Sequence, residues 1–131
     1  MINGSCLCGK VRYQYKGEIE EIAMCHCSQC RKAQGGACAT NSPVDTDKLE
    51  FTACVEYIKE FQSNEFKVRA FCSNCGSPLY SARSDVPEKR RLRMGSIKSP
   101  FSCDNKYHIY ADSKAQWHEI TDGHPKFKEM P

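Results

Sequence analysis

The sequence predicts a mainly-β fold of short antiparallel strands with little helix, held together by metal. Three observations lead there. Polar and apolar residues alternate in several short stretches, the pattern of half-buried strands. Helical signals amount to isolated turns. Seven of the ten cysteines fall into tight groups, Cys6-x-Cys8, Cys25-x-Cys27-x-x-Cys30 and Cys72-x-x-Cys75. Such short spacings suit a shared metal better than long cross-links.

The elements read in order as follows. Lys10–Tyr15 alternates, with Val11, Tyr13 and Tyr15 on one face. Ser28 is placed to cap a single helical turn over Gln29–Gln34, which Gly35-Gly36 stops. Short strands are expected at 37–40 and 49–52. Residues 55–61 are rich in β-branched and aromatic residues. Residues 65–71 set Phe66, Val68 and Ala70 on one face, and Ser63-Asn64 between these two strands reads as a hairpin turn. Further strands fall at 78–81, 91–94 and 107–110, with a second helical turn at 113–116. Segments 41–47, 84–88 and 98–105 read as loops. Residues 1–131 are expected to form one domain, since 131 residues suit a single core.

Composition excludes several classes. Met1-Ile2-Asn3-Gly4-Ser5-Cys6 lacks the basic start and apolar run of a secretory signal. No stretch approaches the ~20 apolar residues of a membrane span. The many cysteines therefore point to a reducing cytoplasmic setting and thiolate-bound metal rather than a disulfide framework. With 19 basic and 16 acidic residues the charge is +3, too balanced to demand a nucleic-acid partner. The one basic run, Lys89-Arg90-Arg91-Leu92-Arg93, reads first as a solvated edge and second as a patch for an anionic ligand.

The groups hold two, three and two cysteines. Two plus two makes one closed four-thiolate site, Cys6, Cys8, Cys72 and Cys75. Residues i and i+2 of an extended chain point the same way, which lets Cys6 and Cys8 meet one metal. Glycine after Cys8 and after Cys75 permits the positive φ such turns need. Residues 9–71 lie between the pairs, so this metal serves folding. Cys25, Cys27 and Cys30 remain. Three thiolates leave zinc an open position, unless Cys38 or His108 closes it or two of the thiols form a disulfide. Zinc with three thiolates is a weak Lewis acid and suits activation of a fourth sulfur better than of water. Arg31 and Lys32 stand ready to offset its charge or to hold a carboxylate.

Gly4-Ser5-Cys6-Leu7-Cys8-Gly9-Lys10-Val11-Arg12-Tyr13, Cys25-His26-Cys27-Ser28-Gln29-Cys30-Arg31-Lys32 and Phe71-Cys72-Ser73-Asn74-Cys75-Gly76-Ser77-Pro78-Leu79-Tyr80 resemble the glutathione-dependent formaldehyde-activating enzyme (GFA) family. His108-Ile109-Tyr110, Ser113-Lys114-Ala115, Trp117 and Asp122-Gly123 agree with the family's C-terminal pattern. The resemblance runs from about Asn3 to Met130 and extends to the centromere protein V domain. It implies a β-tent fold with two zinc positions, structural on Cys6, Cys8, Cys72 and Cys75, catalytic on Cys25, Cys27 and Cys30. It also implies joining a small thiol such as glutathione to a small aldehyde such as formaldehyde, giving S-hydroxymethylglutathione; in reverse this is a carbon–sulfur lyase. His108, Tyr110 and Ser96 are the candidate proton-transfer groups. The competing readings are a zinc module that binds protein or nucleic acid through the 89–93 run and Trp117, and a redox enzyme working through Cys103 or Cys38.

Overall fold

The computed structural model describes residues 1–131. It contains ten strands and one α-helix: β1 (Ile2–Ser5), β2 (Arg12–Tyr15), β3 (Ile22–Cys25), α1 (Ser28–Gln34), β4 (Ala39–Asp45), β5 (Leu49–Ala53), β6 (Ile58–Gln62), β7 (Lys67–Cys72), β8 (Pro78–Arg83), β9 (Val86–Arg93) and β10 (Lys106–Ile109). They form a three-stranded sheet in the order β1-β2-β5 and a seven-stranded sheet in the order β10-β3-β4-β9-β8-β7-β6. The mainly-β expectation therefore holds. One detail differs: β10 pairs with β3 in parallel, while every other strand pair is antiparallel.

The core lies between the sheets. Val11, Tyr13 and Tyr15 are buried, as their alternation predicts. Tyr13 and Tyr15 pack with Ile2, Ile19 and Leu49 against Val44 of β4 and Leu92 of β9. Burying a side chain such as Leu92 contributes about 2 kcal/mol. A second cluster joins Cys6 and Val11 to Ala70, Cys72, Leu79 and Tyr80. A third, of Ala23, Cys25, Cys30, Ala39 and Ile109, seats α1 on β3, β4 and β10.

Several boundaries move. Residues 41–45, read as loop, belong to β4. Residues 55–57 form a 3₁₀ turn, entered from Cys54 in the left-handed conformation, so β6 starts at Ile58. The 63–64 hairpin forms, but its loop runs to Phe66, which is exposed. β9 starts at Val86, inside a stretch read as loop, because Ser84-Asp85 makes a tight turn off β8. The C-terminal helical turn is a 3₁₀ turn at Ala111–Ser113. Residues 98–105 are irregular, as expected.

Candidate metal centres and the cleft between them

Cys6, Cys8, Cys72 and Cys75 bring their four sulfurs within 4.8 Å of one another. The Cys6–Cys8 and Cys8–Cys72 separations are 3.5 and 3.9 Å. A tetrahedron with metal–sulfur bonds of about 2.3 Å has sulfurs about 3.8 Å apart, so the group fits a four-thiolate ion. Both halves are built alike. Gly9 N–H donates to Cys6 O and Gly76 N–H to Cys72 O, with φ of 78° and 80°. Only glycine takes that conformation without strain. Cys6-x-Cys8 is thus a tight turn, not the extended pair the spacing suggested.

Ser77 ties the two turns together. Its hydroxyl accepts from Leu7 N–H at 2.8 Å and lies 3.2 Å from Cys75 Sγ. That hydroxyl is the main reason the Cys75 thiol is drawn down to about 5, whereas burial pushes Cys72 up to about 11.

Cys25, Cys27 and Cys30 also converge within 4.8 Å, and no fourth Cys, His, Asp or Glu atom joins them. Cys25 ends β3. Cys27 is the N-cap of α1, its sulfur accepting from Cys30 N–H at 3.3 Å. Cys27, not Ser28, is therefore the cap. His26 lies between these cysteines, fully buried. Its Nε2 is 2.8 Å from His108 Nδ1, and His108 Nε2 is 2.9 Å from the Asp122 carboxylate. An N–H of His108 donating to Asp122 leaves Nδ1 to accept from His26. This chain pins the cysteine loop to β10.

The trio shares charge unevenly. Hydrogen bonds from Cys25 and Cys27, then Arg69, hold the Cys30 thiol far below its ordinary range. Cys25 is pushed far up, first by its contacts with Cys27 and Cys30 and then by burial. Both guanidinium nitrogens of Arg69 reach Cys30 Sγ, at 3.7 and 3.8 Å.

The trio lines a cleft of about 500 Å³. Tyr110 lines it too, in the left-handed conformation at φ 54°. The other two proton-transfer candidates do not: His108 is held by His26 and Asp122, and Ser96 is buried against Tyr13. Neither Cys38 nor His108 closes the trio. Arg31 is a structural tie, donating to the carbonyls of His26 and Ser113, and neither it nor Lys32 lines the cleft. Cys103 and Cys38 lie outside the cleft lining.

The sequence reading missed the cationic wall. Lys67, Arg69, Arg83, Arg91 and Arg93 all line the cleft. The signal was there in the period-2 spacing of 67/69 and 91/93, which puts each pair on one face. The 89–93 run is accordingly not a continuous solvated edge. Arg91 and Arg93 face the cleft, Arg93 is buried, and Arg90 covers the Tyr80 ring at 4.4 Å.

Comparison with known proteins agrees with this architecture. A Schizosaccharomyces pombe protein described as an uncharacterized lyase is 29% identical over 84 residues, 60% of this chain. The match spans 56% of that relative, little more than half its length. The crystal structure of a Rhodobacter sphaeroides protein superposes with a TM-score of 0.64 at 19% identity, covering 95% of this chain and 98% of that one, which establishes the fold. The family described as glutathione-dependent formaldehyde-activating enzyme matches residues 1–113. With a match of that extent, carrying both cysteine groups, the chain belongs to the GFA family.

Proposed function

We propose that the protein is a zinc-dependent carbon–sulfur lyase of the GFA type that reversibly adds a small thiol to an aldehyde. Glutathione and formaldehyde are the reactants the family name supplies. The observation that carries the reading is that Cys25, Cys27 and Cys30 converge on the wall of a cleft and take no fourth side chain. Cys6, Cys8, Cys72 and Cys75 would hold a second, structural zinc. Residues 1–131 act as one zinc-bearing domain, working in the cytoplasm where thiols stay reduced. No helix is long and apolar enough to cross a membrane.

Zinc on the trio would supply a position that keeps an incoming thiol deprotonated near neutral pH. The chain's own groups do the rest. Arg69, against Cys30, offsets the thiolate charge. The His26–His108–Asp122 chain fixes the loop that carries Cys25 and Cys27. As sulfur adds to the aldehyde carbon, the carbonyl π pair moves to oxygen, which takes a proton; the thiol's proton goes to solvent. Tyr110, which lines the cleft together with the hydroxyl-bearing Ser28 and Ser81, is the group assigned to donate there. The reverse step breaks the carbon–sulfur bond and regenerates thiol and aldehyde. Proximity of the two reactants supplies much of the rate.

The test is adduct formation from glutathione and formaldehyde by zinc-loaded protein. The expected result is a rate above the spontaneous one that Cys27→Ser abolishes. A rate equal to the spontaneous one rejects this reactant pair.

A further inference from the structure

The cleft holds more positive charge than a thiol and formaldehyde require. The cross-strand registers show how the wall is built. Ser81 of β8 lies between Arg69 of β7 and Arg91 of β9, Lys67 sits directly opposite Arg83, and Arg93 sits opposite Asn41 of β4. Intervening residues such as Ala70, Tyr80 and Leu92 turn to the opposite, core-facing side. The sheet thus has one apolar face and one cationic face.

Like charges directly opposite on a sheet are destabilising. Here the cost is only partly relieved internally. No carboxylate lines the cleft. Arg83 pairs with Asp85 at 2.8 Å, but Lys67, Arg69, Arg91 and Arg93 have no carboxylate partner. Arg93 is 4% exposed and its Nη1 has no hydrogen-bond partner. Burial and the neighbouring cations pull Arg93 down to about 10, and burial together with Arg69 lowers Lys67. An unused donor on a buried guanidinium shows that the wall as a whole is short of negative charge.

The cationic face also reaches past the cysteines. A smaller adjoining cavity of about 180 Å³ shares Lys67, Ser81, Arg83 and Arg91 with the main cleft and adds Lys89. Arg69 is occupied by Cys30, Arg83 by Asp85, and Arg91 gives one nitrogen to Asn41 Oδ1 at 3.0 Å, which leaves Lys67, Ser81 and the remaining guanidinium N–H groups for a second function. Formaldehyde is scarcely larger than a water, about 30 Å³, and is neutral. A glutathione-like thiol has two carboxylates and one ammonium, a single net negative charge beyond its sulfur. Formaldehyde leaves the charge of the wall unanswered, and the single net negative charge of the thiol answers only part of it.

We propose that Lys67, Ser81, Arg83 and Arg91 form an oxyanion subsite, and that the aldehyde used by this protein carries a carboxylate or a phosphate monoester bound there. The subsite rests on geometry alone; its assignment to the aldehyde rests on the lyase reading above. Arginine forks hold either oxyanion through paired N–H donors, and the Ser81 hydroxyl supplies a further donor. The reaction is unchanged: sulfur adds to the carbonyl carbon, the carbonyl π pair becomes an alkoxide that takes a proton, and the oxyanion group is untouched.

Two measurements on the full-length, zinc-loaded protein test this. In calorimetry, inorganic phosphate and acetate serve as probes. Wild type should bind at least one saturably at millimolar concentration or below, and Lys67→Ala and Arg91→Ala should each weaken it tenfold or more. Arg91→Lys, which keeps the charge, should retain part of the affinity, and circular dichroism confirms that each variant is folded. In turnover with glutathione, the ratio of kcat/KM for glyoxylate or glyceraldehyde 3-phosphate over that for formaldehyde should fall at least tenfold in Arg91→Ala. Whichever aldehyde shows the fall identifies the oxyanion. Absence of saturable binding, or binding indifferent to both alanine variants, overturns the subsite. So does tighter binding of a single-stranded oligonucleotide through the same residues, which would make the face a nucleic-acid surface. Binding is read without turnover, so oxyanion affinity with no lyase activity toward any of these aldehydes keeps the subsite and rejects the lyase reading.

Discussion

Tyr13 shows how much one side chain decides. It stands in the core between the sheets, and its hydroxyl lies 2.7 Å from Ser96 Oγ. Burial pushes its ionisation up to about 12 from an ordinary value near 10. The folded state therefore holds a proton that the unfolded chain loses above pH 10. The associated stability is fully present below that pH and fades as pH rises toward 12. Two units correspond to about 3 kcal/mol as an upper figure. Urea denaturation at pH 8 and pH 11 should show wild type losing stability, with Tyr13→Phe losing much less. Gly4 meets the same ring: a Cβ there would stand 2.2 Å from Tyr13 Cζ and 2.6 Å from the Ser96 carbonyl oxygen. Backbone on one side and a buried ring on the other leave no room to relax. Gly4→Ala should cost about 1–3 kcal/mol, read as a lowered denaturation midpoint, with its metal content unchanged.

At the scale of elements, α1 makes a direct prediction because its cap is a proposed metal ligand. Serine is a good N-cap and alanine a poor one. Cys27→Ser should remove the trio's metal while keeping the helix start, and Cys27→Ala should be a further ~1 kcal/mol less stable in urea. Equal stability of the two would show that the cap contributes nothing. The elements also show what the sequence made legible. β2 and β7 were visible because one face is apolar and the other polar. β3 was not: Ile22-Ala23-Met24-Cys25 is apolar throughout, so its sequence gives no period-2 signal even though Ala23 and Cys25 alone are the buried pair. β4 was hidden by Pro43, which argues against a strand inside a sheet. The structure resolves this, because β3 pairs only with 39–41 and Pro43 sits where β4 has an open edge. Both cysteine groups could be read from spacing, since a turn brings neighbouring cysteines together locally. The cationic wall needed β4, β7, β8 and β9 to be aligned in register, and that is not written in any one segment.

For the molecule as a whole, the four-cysteine group closes a long-range link between the two sheets. Cys8 and Cys72 are 64 positions apart and belong to different sheets' ends, joining the turn before β2 to the turn after β7. Cross-linking so distant a pair removes about 4 kcal/mol of chain entropy from the unfolded state, by analogy with a disulfide loop of that size. The core it closes is modest, with 27 of 131 residues buried, so the staple is a large share of a domain's usual stability. The trio is different, since Cys25, Cys27 and Cys30 span a single loop whose fold is held by β3, α1 and the His26–His108–Asp122 chain. Removing metal should therefore proceed in two stages. Mild chelation should empty the trio, abolish lyase activity and leave the circular dichroism spectrum intact. Stronger chelation, or Cys72→Ser, should empty the four-cysteine group and abolish cooperative unfolding. Metal analysis should give two zinc ions per chain in wild type, one in Cys27→Ser, and a soluble folded protein only where the second is retained. Cooperative unfolding that survives complete zinc removal would show that the protein core alone carries the fold.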